Sequence, residues 1–569
     1  MRYLFTFVLL SLCSGNLLSQ YPYQEPLHSP VGIPIVLAAN FGELRSNHFH
    51  TGIDIKTKGS EGYRLYAIAD GYVSRIKVSP YGYGKAIYID HPELGITSVY
   101  AHCQHFSGAI EEYVLTEQVK QEFFEIELFP GTDKLVVKKG DVIAISGNTG
   151  GSSAPHLHFE IRDTKTEHPL NPLLFDFLDV ADTRAPEIRA VKLYALSKMG
   201  YRIPGKEKVF PAVLSGKEYT VSGKKVTLPS HFCSENGGVG LAVRVIDRYD
   251  AAQNVCGIYE GRLMLNADTV YTQQMKELDF AVNRQINTHM DYEEFKFKKL
   301  GFEKYFRTPH NKLPIYPNTD SGILGLYPGN SYQMHYNALD IAGNSLDMKF
   351  TLDIAAGELR KEDTPWDAYD PGYMYPDSIY TFESSSCQIL FRDYLLYEPV
   401  LKKFQSEEGK VVFGDAKIPI DGTYRLAMKL PKAIGNRSRA IIIHTDYRGR
   451  QKALQSEIKE GWISATPKEM GTFEIQEDTI APEVRSTNFV NGGAVTGKTL
   501  LTWTVSDDLS GVAEYAVYVN GKYQVLEFEP KRDQLFTSIT ELGVGIHQVK
   551  LVVKDGVGNE TVEQYEIKK

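Results

Sequence analysis

The chain has 569 residues, of which 42% are hydrophobic and 23% are charged, and its formal net charge is −9. This composition is typical of a folded protein and excludes a fibrous or wholly disordered chain, and the acidic balance gives no reason to expect nucleic acid or an anionic membrane as a partner. At roughly 100–200 residues per domain, the length predicts three to five domains. The abundance of Tyr (35) and Phe (27) favours strand-rich domains.

The first residues have the pattern of a secretory signal peptide. A positive charge at Arg2 precedes the apolar run Leu4–Leu12, and Ser19 offers a small residue for cleavage. The run is shorter than the ~20 apolar residues of a membrane span, so we predict a signal peptide at 1–19 and not an anchor. No later stretch reaches that length. The mature chain is therefore expected in the periplasm, the cell envelope or the extracellular space, without a transmembrane span.

Two internal echoes divide the rest of the chain. The segment Asp182–Arg189 recurs as Asp478–Arg485, and Asp340–Asn344 recurs as Asp555–Asn559. Each first segment contains an Ala-Pro pair, which predicts an extended linker entering a strand. Each second segment reads Asp-x-x-Gly-Asn, which predicts a tight turn near the last hairpin of a domain.

These echoes predict a first domain over 20–178, followed by three β-sandwich domains. The three are 179–356 with an insertion near 290–330, then 357–477, and then 478–569. The domains at 179–356 and 478–569, which carry the repeated motifs, resemble the immunoglobulin-like repeats of bacterial secreted proteins, whereas 357–477 lacks both motifs and is predicted as a further β-sandwich. The fold class predicted for the whole chain is mostly β.

Four cysteines remain after removal of the signal peptide, namely Cys103, Cys233, Cys256 and Cys387. An oxidising compartment permits disulfides, and four cysteines allow three full pairings. Cys233 and Cys256 lie in one predicted domain and are the favoured pair, with buried free thiols as the alternative.

The run Pro155–Ile161 carries two histidines on a predicted strand. Side chains alternate across a strand, so His156 and His158 share one face, while Leu157 and Phe159 face the core. A lone His-x-His pattern is weak evidence for a metal site, because many are surface accidents.

Two further segments before this strand carry candidate ligands. In an extended chain His50 and Asp54 would lie about 13 Å apart, too far for one ion, but Gly52 allows a bend that brings them together. A polar loop is the alternative. In the run 97–103, strand alternation puts His102 on the face of Tyr100, with Cys103 on the opposite face.

Together, two histidines and one aspartate make a three-ligand set that leaves the fourth position for water, the pattern of a catalytic zinc site. Two more histidines remain for proton transfer or oxyanion stabilisation. In this set and order the sequence resembles the M23 (LytM-type, lysostaphin-like) family of peptidoglycan endopeptidases. The matching segments are Asn40–Gly42, His50–Ile55, Ala69–Val73, Tyr100–His102, Lys139–Ile143, Gly147–Gly150 and Pro155–Glu160.

The resemblance implies a LytM-type antiparallel β-sheet domain with His50, Asp54 and His158 as Zn²⁺ ligands. It makes His102 and His156 the catalytic pair and leaves the roles within that pair open. It further implies a secreted zinc metalloendopeptidase that hydrolyses peptide bonds in peptidoglycan stem or cross-link peptides. The alternative is a non-catalytic LytM-type module that binds the wall or activates another hydrolase, and the complete set of five residues weighs against it.

Two departures from the family pattern stand out. Ala154 occupies a position where the family often has Gly. An insertion at 104–136, with a predicted short helix at Thr116–Phe124, is either a lid or binding loop beside the cleft or a surface decoration. The immunoglobulin-like domains are expected to bind wall or protein partners.

Overall fold

The structure is a computed structural model that describes residues 27–175, 177–318 and 320–569. The predicted signal peptide at 1–19 lies outside these residues. None of the helices in the described ranges has the length and the apolar character needed to cross a lipid bilayer. The predicted mostly-β class is confirmed, with a peptidase-type sheet at the N-terminus and several β-sheets after it.

The N-terminal region is built on one antiparallel sheet with a helix packed against it. Its elements are β1 Leu37–Ala39, β2 Leu44–Arg45, β3 His48–Phe49, β4 Ile53–Lys56, β5 Arg64–Tyr66, β6 Gly71–Val78, β7 Lys85–His91, β8 Ile96–Phe106, α1 Ala109–Gln121, β9 Ile126–Leu128, β10 Val136–Val137, β11 Val142–Ser146, β12 His156–Asp163 and β13 Pro169–Leu170. The main strand order is β1-β4-β12-β8-β7-β6-β10, and β11 pairs with both β5 and β8. Strands β2 and β3 form a separate hairpin. The sheet thus places β4, β12 and β8, which carry most of the predicted site, side by side.

The core of this sheet follows from strand alternation. Leu157, Phe159 and Ile161 on β12 are fully buried, as is Tyr100 opposite Phe159 on β8. The neighbouring positions on β12 are polar and point to the other face. One face of β12 therefore packs in the core, and the other face carries the polar side chains.

The insertion at 104–136 forms helix α1 and strands β9 and β10, which both pair with β6. The helix begins earlier than predicted, at Ala109, because Ile110 and Val114 are buried against the core. None of the residues that line the cleft comes from this insertion. The Tyr518 hydroxyl donates a hydrogen bond to Glu122, 3.0 Å away, so the insertion docks the C-terminal sheets and does not lie over the cleft.

The second region, 187–354, follows a continuous hydrogen-bonded strand order around one core. Its elements are β14 Glu187–Leu196, β15 Arg202–Ser215, β16 Glu218–Val221, β17 Lys225–Leu228, β18 Gly238–Ile246, β19 Glu260–Leu265, β20 Asp268–Gln274, α2 Ile286–His289, α3 Tyr292–Lys298, β21 Glu303–Lys304, β22 Ser331–Leu339 and β23 Ser345–Ile354. Both short helices lie in the irregular stretch between β20 and β22.

The last two regions each contain two sheets that enclose a core. The third has β24 Tyr373–Met374, β25 Tyr380–Glu383, β26 Cys387–Phe391, β27 Val400–Leu401, β28 Phe404–Glu407, β29 Lys410–Phe413, β30 Arg425–Lys429, β31 Ala440–Thr445, β32 Gln451–Leu454, β33 Glu457–Lys459, β34 Trp462–Ala465 and β35 Gly471–Glu477. The C-terminal region has β36 Glu483–Ser486, β37 Gly493–Ala494, β38 Leu500–Ser506, β39 Val512–Val519, β40 Lys522–Gln524, β41 Leu526–Glu529, β42 Gln534–Ser538, β43 Ile546–Asp555 and β44 Glu560–Lys568. Single 3₁₀ turns lie at Pro172–Leu174, Ser222–Lys224, Ser230–Phe232, Asn283–Gln285 and Arg437–Arg439.

The cysteines do not pair as predicted. Cys103, Cys233, Cys256 and Cys387 are all buried and free. Cys233 packs in the core of the second region, whereas Cys256 belongs to a cluster shared with the N-terminal sheet. The predicted pair of Cys233 and Cys256 is therefore wrong, because the two thiols belong to different hydrophobic clusters.

The N-terminal and second regions share a hydrophobic cluster of their own. Phe41 and Phe49, from the strands that lead to the site, are 1% and 0% exposed. They pack with Met275, Leu278, Ile286, Met290, Leu313 and Ile315 of the second region. The apolar surface around Phe41 and Phe49 is thus removed from water by another part of the chain.

We expect a fragment of residues 27–178 to be less stable than a fragment of residues 27–356. Only the longer fragment covers Phe41 and Phe49, and burying a large apolar side chain contributes about 1.5–3 kcal/mol. Thermal unfolding of both fragments measures the difference. Equal unfolding midpoints would show that the shared cluster adds nothing to the N-terminal fold.

Candidate metal centre

Three of the predicted residues converge on one point. Strand β4 pairs with β12 so that Asp54 lies directly opposite His158. The His50 Nε2 lies 3.0 Å from the Asp54 Oδ1 and 3.1 Å from the His158 Nδ1, and the His158 Nδ1 lies 2.9 Å from the Asp54 Oδ1. The structure therefore brings together the three residues that the sequence singled out as ligands.

Gly52 permits this convergence, but for a different reason from the one expected. A Cβ at this position would lie 2.4 Å from the backbone oxygen of Phe159 and 2.8 Å from the Glu160 Cγ. The requirement for glycine is steric and does not come from a left-handed φ. The absence of a side chain lets the start of β4 approach β12 closely enough for His50 to reach the same point as Asp54.

The donor set fits a tetrahedral zinc ion. Two donors that each lie about 2.0–2.1 Å from such an ion are about 3.3 Å apart, close to the three separations above. Two imidazole nitrogens that face each other at 3.1 Å need a proton or a cation between them. Two imidazoles and one carboxylate match the donors that zinc takes in catalytic sites, with one position left open.

The remaining ring nitrogens are held by the protein. The His50 Nδ1–H donates to the Asn40 carbonyl oxygen at 2.7 Å, which leaves its Nε2 unprotonated for a metal. The His158 Nε2–H donates to the Glu160 Oε1 at 2.9 Å, which leaves its Nδ1 toward the centre. Such outer partners fix the tautomer and the orientation of metal-binding histidines.

Glu160 is a functional residue that the reasoning from sequence did not single out. Its side chain is fully buried and accepts hydrogen bonds from Thr51 at 2.6 Å, Tyr83 at 2.5 Å and Arg162 at 2.7 Å. Burial alone would raise the pKa of Glu160, but the Arg162 guanidinium and His158 outweigh it and hold the pKa well below its usual range. The signal was available, because alternation puts Glu160 on the same face of β12 as His156 and His158.

These contacts determine which of the side chains at the centre are ionised. Burial opposes ionisation of Asp54, but His50, His156 and His158 hold its pKa well below the usual range. Burial would lower the pKa of His158, yet its bonds to Asp54 and Glu160 raise it to about 9. Without a metal, His158 is therefore protonated at neutral pH.

His102 reaches the cleft through a break in strand alternation. Ala101 lies opposite His158 and Tyr100 lies opposite Phe159, so a regular strand would turn His102 toward the core. Instead His102 has a left-handed φ of 60°, and its side chain turns to the cleft. Cys103 consequently packs in the same core cluster as Tyr100, so the predicted assignment of His102 and Cys103 to faces is wrong.

His102 and His156 form a second pair beside the centre, with ring centroids 4.8 Å apart. The His102 Nδ1–H donates to the Thr149 carbonyl oxygen and the His156 Nδ1–H to the Ala154 carbonyl oxygen, both at 2.8 Å. Each ring therefore has Nε2 as its remaining nitrogen, and the His156 Nε2 lies 3.4 Å from the Asp54 Oδ1. Burial, followed by the charges of His158 and His156, lowers the pKa of His102 to about 3, so this ring is neutral at physiological pH.

Part of the cleft wall comes from the second region. Phe280, Asn283 and Arg284 line the cleft beside the five residues of the centre. The Asn283 Oδ1 accepts a hydrogen bond from the Phe49 backbone N–H at 2.8 Å, one residue before His50. These wall residues are more than 100 positions from β12 in the chain, so no local sequence pattern could have identified them.

The C-terminal region also contacts the rim. The Lys531 Nζ donates to the carbonyl oxygens of Asn148 and Ser152, at 2.5 and 3.2 Å, in the loop that precedes His156. A second link joins Lys85 and Glu527, whose charged atoms lie 2.9 Å apart. The loop next to the second pair of histidines is thus held by contacts with the last sheets of the chain.

A further histidine of the sheet, His91, has a structural role. His91 is buried, and its ring nitrogens form hydrogen bonds with the Asp70 carbonyl oxygen at 3.0 Å and the Ser98 hydroxyl at 2.8 Å. Both nitrogens therefore have partners outside the centre.

Comparison with known proteins identifies two segments. Residues 48–120 and 132–172 match the profile described as Peptidase family M23, and residues 372–478 match a Zu5-like domain. The proteins named DD-carboxypeptidase/endopeptidase Mpg of Neisseria meningitidis serogroup B and of Neisseria gonorrhoeae are each 32% identical over 130 residues, which is 23% of this chain and 23% of theirs. The match thus spans about a quarter of the length of those relatives.

Solved structures resemble the same part of the chain. Csd3 of Helicobacter pylori is 27% identical, with 26% of this chain and 33% of that chain covered and a TM-score of 0.19. The catalytic domain of lysostaphin from Staphylococcus simulans is 22% identical, with 25% of this chain and 91% of that chain covered and a TM-score of 0.19.

The profile match begins at β3 and ends just past β13, so it contains all five histidine and aspartate residues of the centre. Over residues 48–120 and 132–172, the N-terminal region is therefore similar to peptidase family M23.

Proposed function

We propose that the chain is an exported zinc metalloendopeptidase that hydrolyses peptide bonds in the stem or cross-link peptides of peptidoglycan. The observation that carries the proposal is the convergence of His50, Asp54 and His158 within about 3 Å of one another, beside a second pair of histidines. The match of the N-terminal region to the peptidase family M23 profile and its likeness to a protein named DD-carboxypeptidase/endopeptidase support the reaction class.

Each of the three ligands has a defined donor atom. His50 would bind through Nε2, Asp54 through Oδ1 and His158 through Nδ1. When bound, Zn²⁺ supplies Lewis acidity, which lowers the pKa of a water molecule toward ~7 and polarises the carbonyl that is attacked. Asn40 and Glu160 hold the two imidazoles in the tautomers that this arrangement needs.

His102 and His156 do the proton chemistry. His102 is neutral, and its Nδ1–H is committed to Thr149, so its Nε2 can accept a proton from water. His156 has the same arrangement through Ala154, and its Nε2 can donate to the oxyanion of the tetrahedral intermediate when the ring is protonated. The residues support either assignment of the two roles.

The cleft suits an extended peptide with carboxylate groups. Arg45 and Arg284 lie on its wall, and Phe280 adds an apolar surface that the Arg162 guanidinium covers at 4.6 Å. Stem peptides combine small apolar side chains with free carboxylates. In this proposal the N-terminal domain spans 20–178 after a signal peptide at 1–19, and the protein acts in the periplasm or cell envelope. The domains at 179–356 and 478–569 are immunoglobulin-like modules, the domain at 357–477 is a β-sandwich that contains the Zu5-like match, and these domains bind wall or protein partners.

Digestion of purified sacculi tests the proposal directly. We expect the zinc-loaded full-length chain to release peptide fragments, which mass spectrometry identifies by the bond cut. The matched control is His102→Ala, which keeps all three ligands and should retain zinc while losing about 10²–10⁴-fold in rate. Binding to sacculi without release of fragments would support the non-catalytic alternative and contradict ours.

The ligand assignment predicts zinc loss in single variants. His50→Ala, Asp54→Ala and His158→Ala should each lose stoichiometric zinc, because three protein ligands hold a catalytic site. Glu160→Gln keeps the three ligands but weakens the bond that orients His158, and should lower zinc affinity about 10–100-fold. Metal analysis after dialysis measures both effects. Stoichiometric zinc in purified Asp54→Ala would overturn the assignment.

Zinc affinity should rise with pH between about 6 and 9. The pKa of His158 without metal is about 9, so zinc must displace a proton below that pH, whereas Asp54 is already ionised and adds no such dependence. Calorimetric titration in buffers with different ionisation enthalpies counts the protons released. A zinc affinity that does not change over this range would show that His158 binds no proton in the metal-free protein.

A further inference from the structure

Two clusters of three aspartates lie outside the peptidase cleft, one in the second region and one in the C-terminal region. In the described residues the first consists of Asp182, Asp247 and Asp340, and in each cluster one carboxylate oxygen from each residue lies within 4.8 Å of the other two. The members of the second are Asp478, Asp507 and Asp555.

The two clusters occupy equivalent places in the chain. Asp182 and Asp478 stand in the two Asp-Thr-x-Ala-Pro linkers, and Asp247 directly follows β18 as Asp507 follows β38. The third members begin the two Asp-x-x-Gly-Asn turns. Each cluster therefore joins the entry linker, the end of the second of two paired strands and the last turn of its region.

The turns are built alike. The backbone N–H of Asn344 donates to the Asp340 Oδ1 at 2.8 Å, and its side-chain amide donates to the Asp340 Oδ2 at 2.9 Å and to the Asp182 carbonyl oxygen at 3.2 Å. Asn559 repeats all three bonds in the second copy, at 2.8, 2.6 and 3.0 Å. In both copies these three hydrogen bonds of the asparagine hold the linker beside the turn and so bring the carboxylates together.

The first cluster contains a buried carboxylate without a partner. Asp247 is 1% exposed, and neither of its oxygens accepts a hydrogen bond within the described ranges. The Asp182 Oδ2 is also buried and unpartnered, and no lysine, arginine or histidine of those ranges makes an ion pair with any of the three. A carboxylate that is removed from water without an ion-pair partner is costly, so these unpartnered oxygens beside the Asp340 carboxylate call for a compensating cation.

The carboxylates of the second cluster have more hydrogen-bond donors than those of the first cluster. The Asp507 Oδ2 accepts hydrogen bonds from the backbone N–H groups of Gly511 and Leu509, at 2.7 and 3.2 Å, and the Asp478 Oδ2 accepts one from Ser510 at 3.0 Å. Backbone amides thus satisfy four of the six oxygens of the second cluster, and only the Asp507 Oδ1 is buried without a partner in the part of the chain that the structure describes. In the first cluster three of the six oxygens are buried without a partner in the same ranges.

We propose that Asp182, Asp247 and Asp340 form a binding site for one Ca²⁺. Calcium takes six to eight oxygen ligands at about 2.3–2.6 Å in flexible geometry, so two of its oxygen ligands lie at most about 4.6–5.2 Å apart. One oxygen from each of the three aspartates falls within such a limit, since the three lie within 4.8 Å of one another. Zinc prefers nitrogen and sulfur donors, and magnesium demands a tighter octahedron. The bound ion would fasten the linker that follows the peptidase region to the body of the second region. This inference does not depend on the proposed peptidase activity.

Equilibrium dialysis of the full chain, with zinc held constant, measures the site directly. Against about 5 mM Ca²⁺, above the ~10⁻³ M dissociation constants of extracellular calcium modules, we expect calcium to bind to the wild type and to be lost from the first site in Asp247→Asn. The matched control is Asp507→Asn, the equivalent position of the second cluster, which should leave the calcium at the first site in place. Absence of bound calcium in the wild type, or full retention in Asp247→Asn, would overturn the proposal.

Thermal unfolding tests the site in a second way, in case weak binding of Ca²⁺ to the protein surface affects the dialysis. Without Ca²⁺, Asp247→Asn removes a buried charge and should unfold at the same temperature as the wild type or a higher one. With Ca²⁺, the unfolding temperature of the wild type should rise by a few degrees, because the ion binds only the folded state. The unfolding temperature of Asp247→Asn should not change, because the variant lacks the site. A variant that gains as much as the wild type on addition of Ca²⁺ would contradict the site.

Discussion

The buried carboxylate of Glu160 is the contact on which the centre depends. It accepts hydrogen bonds from His158, from Thr51 next to His50, and from Tyr83, whose backbone oxygen accepts the N–H of His102. One residue thus links three strands that carry functional side chains. Its charge is tolerated in the core because Arg162 and three other donors surround it, and loss of one partner of such a buried pair typically costs about 3–5 kcal/mol.

Strand alternation and motif spacing predicted much of the N-terminal region. The shared face of His156 and His158 and the proximity of His50 to Asp54 both follow from local pattern. The position of His102 did not follow, because a single left-handed residue shifts the parity of β8 and exchanges the faces of His102 and Cys103. The residue type at this position does not predict the change of face, because histidine adopts a positive φ only rarely.

The rest of the cleft and the regional contacts depend on pairs that are distant in the chain. Asn283 bonds the backbone next to His50 across 234 positions, and the cluster around Phe41 and Phe49 is completed by residues of the second region. Composition and periodicity predict strands and cores but do not say which surfaces meet. The same limit explains the cysteines, because sharing a predicted domain does not bring two thiols within bonding distance. The repeated aspartate motifs were visible in the sequence, but only the structure shows the three carboxylates of each copy together.

The bonds from Lys531 to the loop before His156 join residues that are 383 and 379 positions apart. Contacts of such long sequence separation require closure of a large loop, which costs conformational entropy and slows folding. The strands of the N-terminal sheet lie within the first third of the polypeptide, yet the rim beside His102 and His156 includes contacts from the last hundred residues. A ribosome must therefore have made nearly all of the 569 residues before this part of the rim can form.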